Sequence, residues 1–191
     1  MSALTLRSPM PLRNTTAWGA FGDVETLAHG YGAVRITPTA YNEQLTQFVL
    51  LDHAILGVDE VTRDDLAASF EWRNTPDSTG RMVSLLSITP ALDSGEQLAA
   101  RVRGKADPLT GGLMTNPALI VWDLLANLAG QPVTRNDLAN FIAECDNAGL
   151  AFHGLFDNAG ITVRGQLAEL MQNCGAQWSR AMPGLARLWP L

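Results

Sequence analysis

Asn116-Pro117-Ala118-Leu119-Ile120-Val121-Trp122-Asp123-Leu124-Leu125 opens the stretch that decides the fold, and that stretch runs on to Leu191. Asn before Pro is a helix N-cap followed by the one helical position where a missing N–H costs nothing. Ala118, Val121, Trp122, Leu125 and Leu128 then recur at helical spacing, with Ile120 and Leu124 on the flanks. A helix apolar nearly all round is a buried one. After Gly130-Gln131-Pro132, Thr134 with Asp137 three residues on reads as a capping box with the shorter acid. Leu138, Phe141, Ile142 and Cys145 fall at i, i+3, i+4 and i+7, which predicts a single-face helix ended by Gly149. Ala151 to Asp157 is β-like, and Asn158-Ala159-Gly160 is the turn after it. Thr162 opens a third helix, marked by Leu167, Leu170, Met171 and Cys174 and stopped by Gly175. Ala176 to Arg180 and Leu185 to Trp189 flank Met182-Pro183-Gly184-Leu185, where Pro then Gly suits a type II turn. The order helix, helix, strand, helix, hairpin predicts a small α+β unit over 116–191.

Upstream the signal is β. Tyr31 to Thr37 alternates and stops at Pro38, and Gln47-Phe48-Val49-Leu50-Leu51 is an apolar run expected of a strand covered on both faces. Asp52-His53 reads as a turn before Ala54 to Val58. Leu66, Ala68, Phe70 and Trp72 share one face of a strand, and Asn74 to Gly80 is the clearest loop. Met82 to Thr89 and Gln97 to Arg103 complete at least five strands at short spacing, which favours an antiparallel barrel or sandwich over 29–110. Residues 1–28, anchored only by Trp18 and Phe21, read as an extended N-terminal arm, and Lys105 to Thr115 as the link between domains.

The 191 residues leave room for one large or two small domains. With 47% hydrophobic and 17% charged residues the chain is ordinarily globular. A net charge of -6 argues against free nucleic acid as a partner, since backbone binding needs clustered Arg and Lys. The longest apolar runs are far too short to span a bilayer. Met1 to Arg7 has no basic stretch leading into an apolar one, so no secretory leader is expected and both cysteines should be reduced thiols.

Cys145, His153 and Asp157 invite a thiol-nucleophile reading: thiolate, base and orienting acid. Cys145, however, lies on the apolar stripe of Leu138, Phe141 and Ile142, and buried free cysteines behave as small hydrophobes. A small cytoplasmic thiol hydrolase using Cys145 and His153 is the alternative we carry. His29, His53 and His153 stand singly with no close pairing of metal-ligand type. Asp59-Glu60, Asp64-Asp65 and Asp93 read as solvated turn acids. Gly104 to Gly112 lacks the ending of a phosphate loop and reads as a flexible crossover. We therefore expect no catalytic, cofactor-binding or metal-ligating residues and no cofactor. Among the five tryptophans, Trp189 is the best candidate for a partner contact.

Asn116-Pro117-Ala118, Trp122-Asp123-Leu124-Leu125, Phe141 to Asp146, Gly154-Leu155-Phe156-Asp157 and Leu170 to Cys174, in that order and spacing, resemble the hub region of the tip attachment (host specificity) protein J family of long-tailed bacteriophages. Where that family has an Arg-Tyr-Gly-like turn after the first helix, this chain has Asn127-Leu128-Ala129-Gly130. The resemblance implies a virion structural protein of the siphophage tail tip or baseplate hub, assembled in the host cytoplasm. It further implies a homotrimer around the tail axis that joins the tail tube end to distal tail and tip components, with no membrane and no direct nucleic-acid recognition. Larger members carry receptor-binding regions after the hub. A chain that reaches Leu191 just after its closing hairpin is expected to leave these to another polypeptide.

Overall fold

A computed structural model describes residues 28–41, 44–76, 80, 82–128, 130–156, 163–173, 176–180 and 186–190, of which 128, 163–166, 169, 176–180 and 186–190 are described by backbone alone. The class is α+β. The described residues form two compact units: a β unit of 28–113 with 153–156, and a helical unit of 114–152 with the described residues from 163 onward.

The β unit holds two four-stranded antiparallel sheets. One runs β2 (Ala33–Ile36), β9 (Leu98–Arg103), β5 (Gly57–Arg63), β6 (Leu66–Ala67); the other runs β3 (Thr39–Ala40), β4 (Gln47–Leu51), β8 (Met82–Ile88), β7 (Phe70–Pro76). Their inward residues meet in one apolar cluster that includes Val34, Phe48, Leu50, Val61, Leu86 and Val102. The sheets do not close into a barrel, which removes that half of the sequence expectation.

β4 is buried on both faces, as its unbroken apolar run predicts. Phe48 and Leu50 enter the shared cluster, while Val49 faces the other way, against Val83 and Leu85. Two predicted strands are broken in two. Tyr31 to Thr37 divides at Gly32, whose φ of 69° turns the chain between β1 (His29–Tyr31) and β2. Leu66 to Trp72 divides because the chain changes sheets: β6 pairs with β5, β7 pairs with β8, and Leu66 is 74% exposed. Pairing extends β7 through Pro76, into the stretch read as loop. Asp64 and Asp65, with φ of 48° and 63°, make the tight two-residue turn between β5 and β6.

The predicted strand at 151–157 forms as β10 (Gly154–Phe156), but it joins the β unit by pairing antiparallel with β1. The helical unit keeps α1 (Pro117–Asp123), α2 (Ala139–Asn147), α3 (Val163–Asn173) and the antiparallel hairpin of β11 (Ala176–Arg180) and β12 (Ala186–Pro190). Asn116 caps α1 as its sequence predicts, accepting from the N–H groups of Ala118 and Leu119 at 2.9 and 3.4 Å. It also donates from Nδ2 to the Ile142 carbonyl (3.1 Å) and the Asp146 carboxylate (2.6 Å), so one side chain starts α1 and ties it to α2. After Asp123 the helix widens into a π turn, Leu124–Leu128. Asp123 is fully buried on this otherwise apolar helix and accepts from Asn127 Nδ2 at 2.6 Å. The Thr134–Asp137 capping box forms, leading through a short 3-10 turn (Arg135–Leu138) into α2. Gly149, with φ of 64°, ends α2. Leu167, Leu170 and Met171 are the buried stripe of α3.

Residues 1–27 of the N-terminal arm, Thr162, Asn158-Ala159-Gly160, Cys174-Gly175 and the turn at Met182 to Leu185 lie outside the described residues. No described helix is long and apolar enough to cross a membrane.

Candidate functional site

The densest meeting of titratable side chains among the described residues is one the sequence scatters. His29 opens β1, while Asp52 and His53 form the bend directly after β4. The Asp52 N–H reaches the Ala28 carbonyl at 3.2 Å, which brings this bend against the start of β1. All three side chains are buried, and their possible ligand atoms lie within 4.8 Å of one another.

The hydrogen bonds fix the protons. A backbone N–H only donates, so His53 Nε2, 3.0 Å from the Gly30 nitrogen, presents its lone pair there. Nδ1 therefore carries the proton of the neutral ring and donates to the Ala54 carbonyl at 2.8 Å. His29 Nδ1 donates to the Asp52 carboxylate at 2.6 Å, a charge-assisted length. Burial, then the charge of His29, lower the His53 pKa to about 3, against smaller opposing effects of Asp52 and the Ala54 carbonyl. His53 is thus held neutral.

Aromatic packing completes the cluster. The His29 and His53 rings are 4.3 Å apart, and fully buried Tyr31 lies 5.1 Å from His29 and edge-on to Phe156 of β10 at 5.7 Å. On the same side of the fold, Gly104 donates to Gly32 O (2.8 Å) and Lys105 to Gly30 O (3.1 Å). A Cβ on Gly104 would stand 2.5 Å from Gly30 O, so only glycine lets the backbones meet there.

Three buried ligating groups at such distances are the raw material of a metal centre. The donor set argues otherwise: a cation at His53 would have to displace either the Gly30 N–H or the proton shared with Ala54. We assign the cluster as a hydrogen-bonded node that locks β1 to the bend after β4. Sequence spacing did not reveal it, because the fold brings together residues 23 positions apart, where the bend after β4 packs against the start of β1.

Most of the residues that sequence reasoning weighed for chemistry are occupied. Cys145 is 1% exposed on the buried stripe of α2 in the helical unit. His153, in the β unit, accepts the Ala33 N–H at Nδ1 (2.9 Å) and closes the start of β2. Asp157 lies outside the described residues. The Asp64 carboxylate accepts the Gln97 N–H (2.9 Å), that of Asp65 pairs with Arg35 (3.1 Å), and Asp93 and Glu96 share Arg63. Asp59-Glu60 departs from expectation: it sits inside β5, where a bulge between Val58 and Glu60 leaves both acids exposed instead of on opposite faces. Asp59 pairs with Arg103 at 3.0 Å.

The loop after Lys105 is closed on itself and not the flexible crossover expected. The Asp107 carboxylate accepts from the Leu109 N–H and the Thr110 hydroxyl, both at 3.0 Å, and the Asp107 N–H reaches the Gly112 carbonyl at 2.8 Å. An internal carboxylate thus takes donors that a phosphate loop would keep for its ligand.

No family model, curated protein or solved structure matches this chain.

Proposed function

We propose that this chain is a structural component of the tail-tip or baseplate hub of a long-tailed bacteriophage. In this reading it joins the end of the tail tube to distal tip proteins, as a homotrimer around the tail axis. The β unit, an open two-sheet sandwich, contributes to a ring that the helical unit decorates.

The observation that carries the reading is the work done by the residues of the resemblance. Asn116 caps α1 and holds α2; Asp123 is buried and hydrogen-bonded on α1; Phe141, Cys145, Leu170 and Met171 fill the helical unit. The shared pattern is therefore architectural, which suits a protein whose task is to assemble. The residues of the alternative reading serve packing and main-chain hydrogen bonding instead: a thiol 1% exposed and an imidazole whose Nδ1 takes a backbone N–H.

The test is assembly. The purified chain is mixed with tail-tube and distal tip proteins of long-tailed phages, and masses are read by light scattering. A trimer, or a monomer that enters a stoichiometric complex with one of them, supports the hub. A monomer that ignores all of them and hydrolyses thiol-protease or thioesterase substrates only while Cys145 is intact overturns it.

A further inference from the structure

The second sheet ends in a long edge that no described element covers. β7 has β8 on one side, and along its other side no main-chain hydrogen bond reaches Phe70–Pro76 from any described residue. Asn74 turns inward, its side chain donating to and accepting from the Ile55 backbone at 2.9 and 3.0 Å, while Phe70 and Trp72 pack against the shared core. Glu71 and Arg73 face outward, exposed, with no ion-pair partner among the described residues. A row of open N–H and C=O groups on a strand of this length is a template for another strand.

We propose that this edge pairs with the same edge of a second copy, antiparallel, about a two-fold axis through Trp72. The charges select that register. Antiparallel pairing about Trp72 sets Glu71 opposite Arg73 of the second copy, and Arg73 opposite its Glu71. Registers centred on Glu71 or on Arg73 would set like charges face to face, which destabilises a strand pair. Pro76, lacking an N–H, ends the pairing. The result is one continuous eight-stranded sheet across the two copies. Because the contact is a single strand edge, the dimer is weak and concentration-dependent. This inference rests on the strand edge alone and does not use the tail-tip reading, whose trimer it neither requires nor supplies.

Sedimentation velocity on the full chain over roughly 1 to 500 µM tests it. The wild type should move from monomer towards dimer. Glu71→Arg and Arg73→Glu, both at exposed positions, should each weaken dimerisation at least about tenfold. An equimolar mixture of the two single variants should dimerise again, since each then meets its opposite charge, and so should the double variant Glu71→Arg/Arg73→Glu. A wild type that stays monomeric throughout, or an oligomer whose mass neither single variant changes, overturns the proposal. A trimer insensitive to these variants does so while leaving the hub reading intact.

Discussion

Asn116 offers a substitution series in which cap and inter-helix tie separate. Its Oδ1 holds the first N–H groups of α1, and its Nδ2 holds Ile142 O and Asp146 Oδ1 of α2. The cap is worth about 1 kcal/mol. The bond to the Asp146 carboxylate adds about 2 kcal/mol and the bond to the Ile142 carbonyl about 1 kcal/mol. Asn116→Ala loses all of it, about 4 kcal/mol, whereas Asn116→Ser keeps a capping oxygen and loses about 3 kcal/mol. Asn116→Asp is the discriminating change. It keeps an excellent cap but replaces two donors by a carboxylate facing Asp146, so at pH 7 it should cost at least as much as Asn116→Ser. The introduced carboxyl would have a raised pKa in the folded state, so its penalty is full at neutral pH and shrinks as pH falls and the group regains a proton to donate. Thermal melts followed by circular dichroism at pH 7 and pH 4.5 read this out, with a fall in Tm of about 10 °C or more for Asn116→Asp at pH 7. An Asn116→Asp protein as stable as the parent at pH 7 would refute the assignment of the α1–α2 tie to Nδ2.

Three further outcomes follow from the geometry. His53 titrates at 6.5 when unfolded and at about 3 when folded, so its contribution is full above pH 6.5 and is lost as pH falls towards 3, at about 1.4 kcal/mol per pH unit. Urea midpoints between pH 7 and 4 should show that slope, and His53→Asn should flatten it while lowering stability at pH 7. Gly104→Ala drives a methyl into the Gly30 carbonyl and should cost about 2–3 kcal/mol, measured by the same urea titration. Cys145, 1% exposed, should be alkylated about a hundredfold more slowly in the native protein than in urea, as peptide mapping by mass spectrometry would show; a fast native rate would favour the thiol-enzyme reading.

What the sequence carried best was local. Caps, stripes and stops are made by residues a few positions apart, so Asn116-Pro117, the Thr134–Asp137 box, the Phe141–Cys145 stripe and Gly149 were all legible before the structure. What it hid was pairing at long range. Alternation at 66–72 is the same whether the chain stays in one sheet or crosses to the other, and nothing near Ala68 marks the crossing. β10 looks like part of the helical unit because it lies between α2 and α3 in the chain, yet its partner is β1, with His29 opposite Phe156. The bulge that turns both Asp59 and Glu60 outward depends on β9, not on the dipeptide. The His29–Asp52–His53 node was hidden by the same kind of distance: His29 stands 23 positions from Asp52, and only the packing of the bend after β4 against the start of β1 closes the gap.

The buried polar residues explain why a pattern without a catalytic set can still be specific. Apolar helix faces tolerate sliding, because a leucine one turn on offers nearly the same contact. A buried amide or carboxylate does not, since losing its partner costs the full desolvation of the group. Asn116 against Asp146 and Ile142 fixes the register of α1 on α2, and Asp123 with Asn127 fixes where α1 gives way to the π turn. In the β unit the neutral His53 plays the same part, since Gly30 N–H and Ala54 O can both be satisfied in only one placement of the bend against β1. Polar atoms that might have been spent on chemistry are spent on uniqueness of packing. That is the investment expected of a part that must present the same surface to its neighbours in every copy of an assembly, and it is the physical sense in which the fold and the proposed role agree.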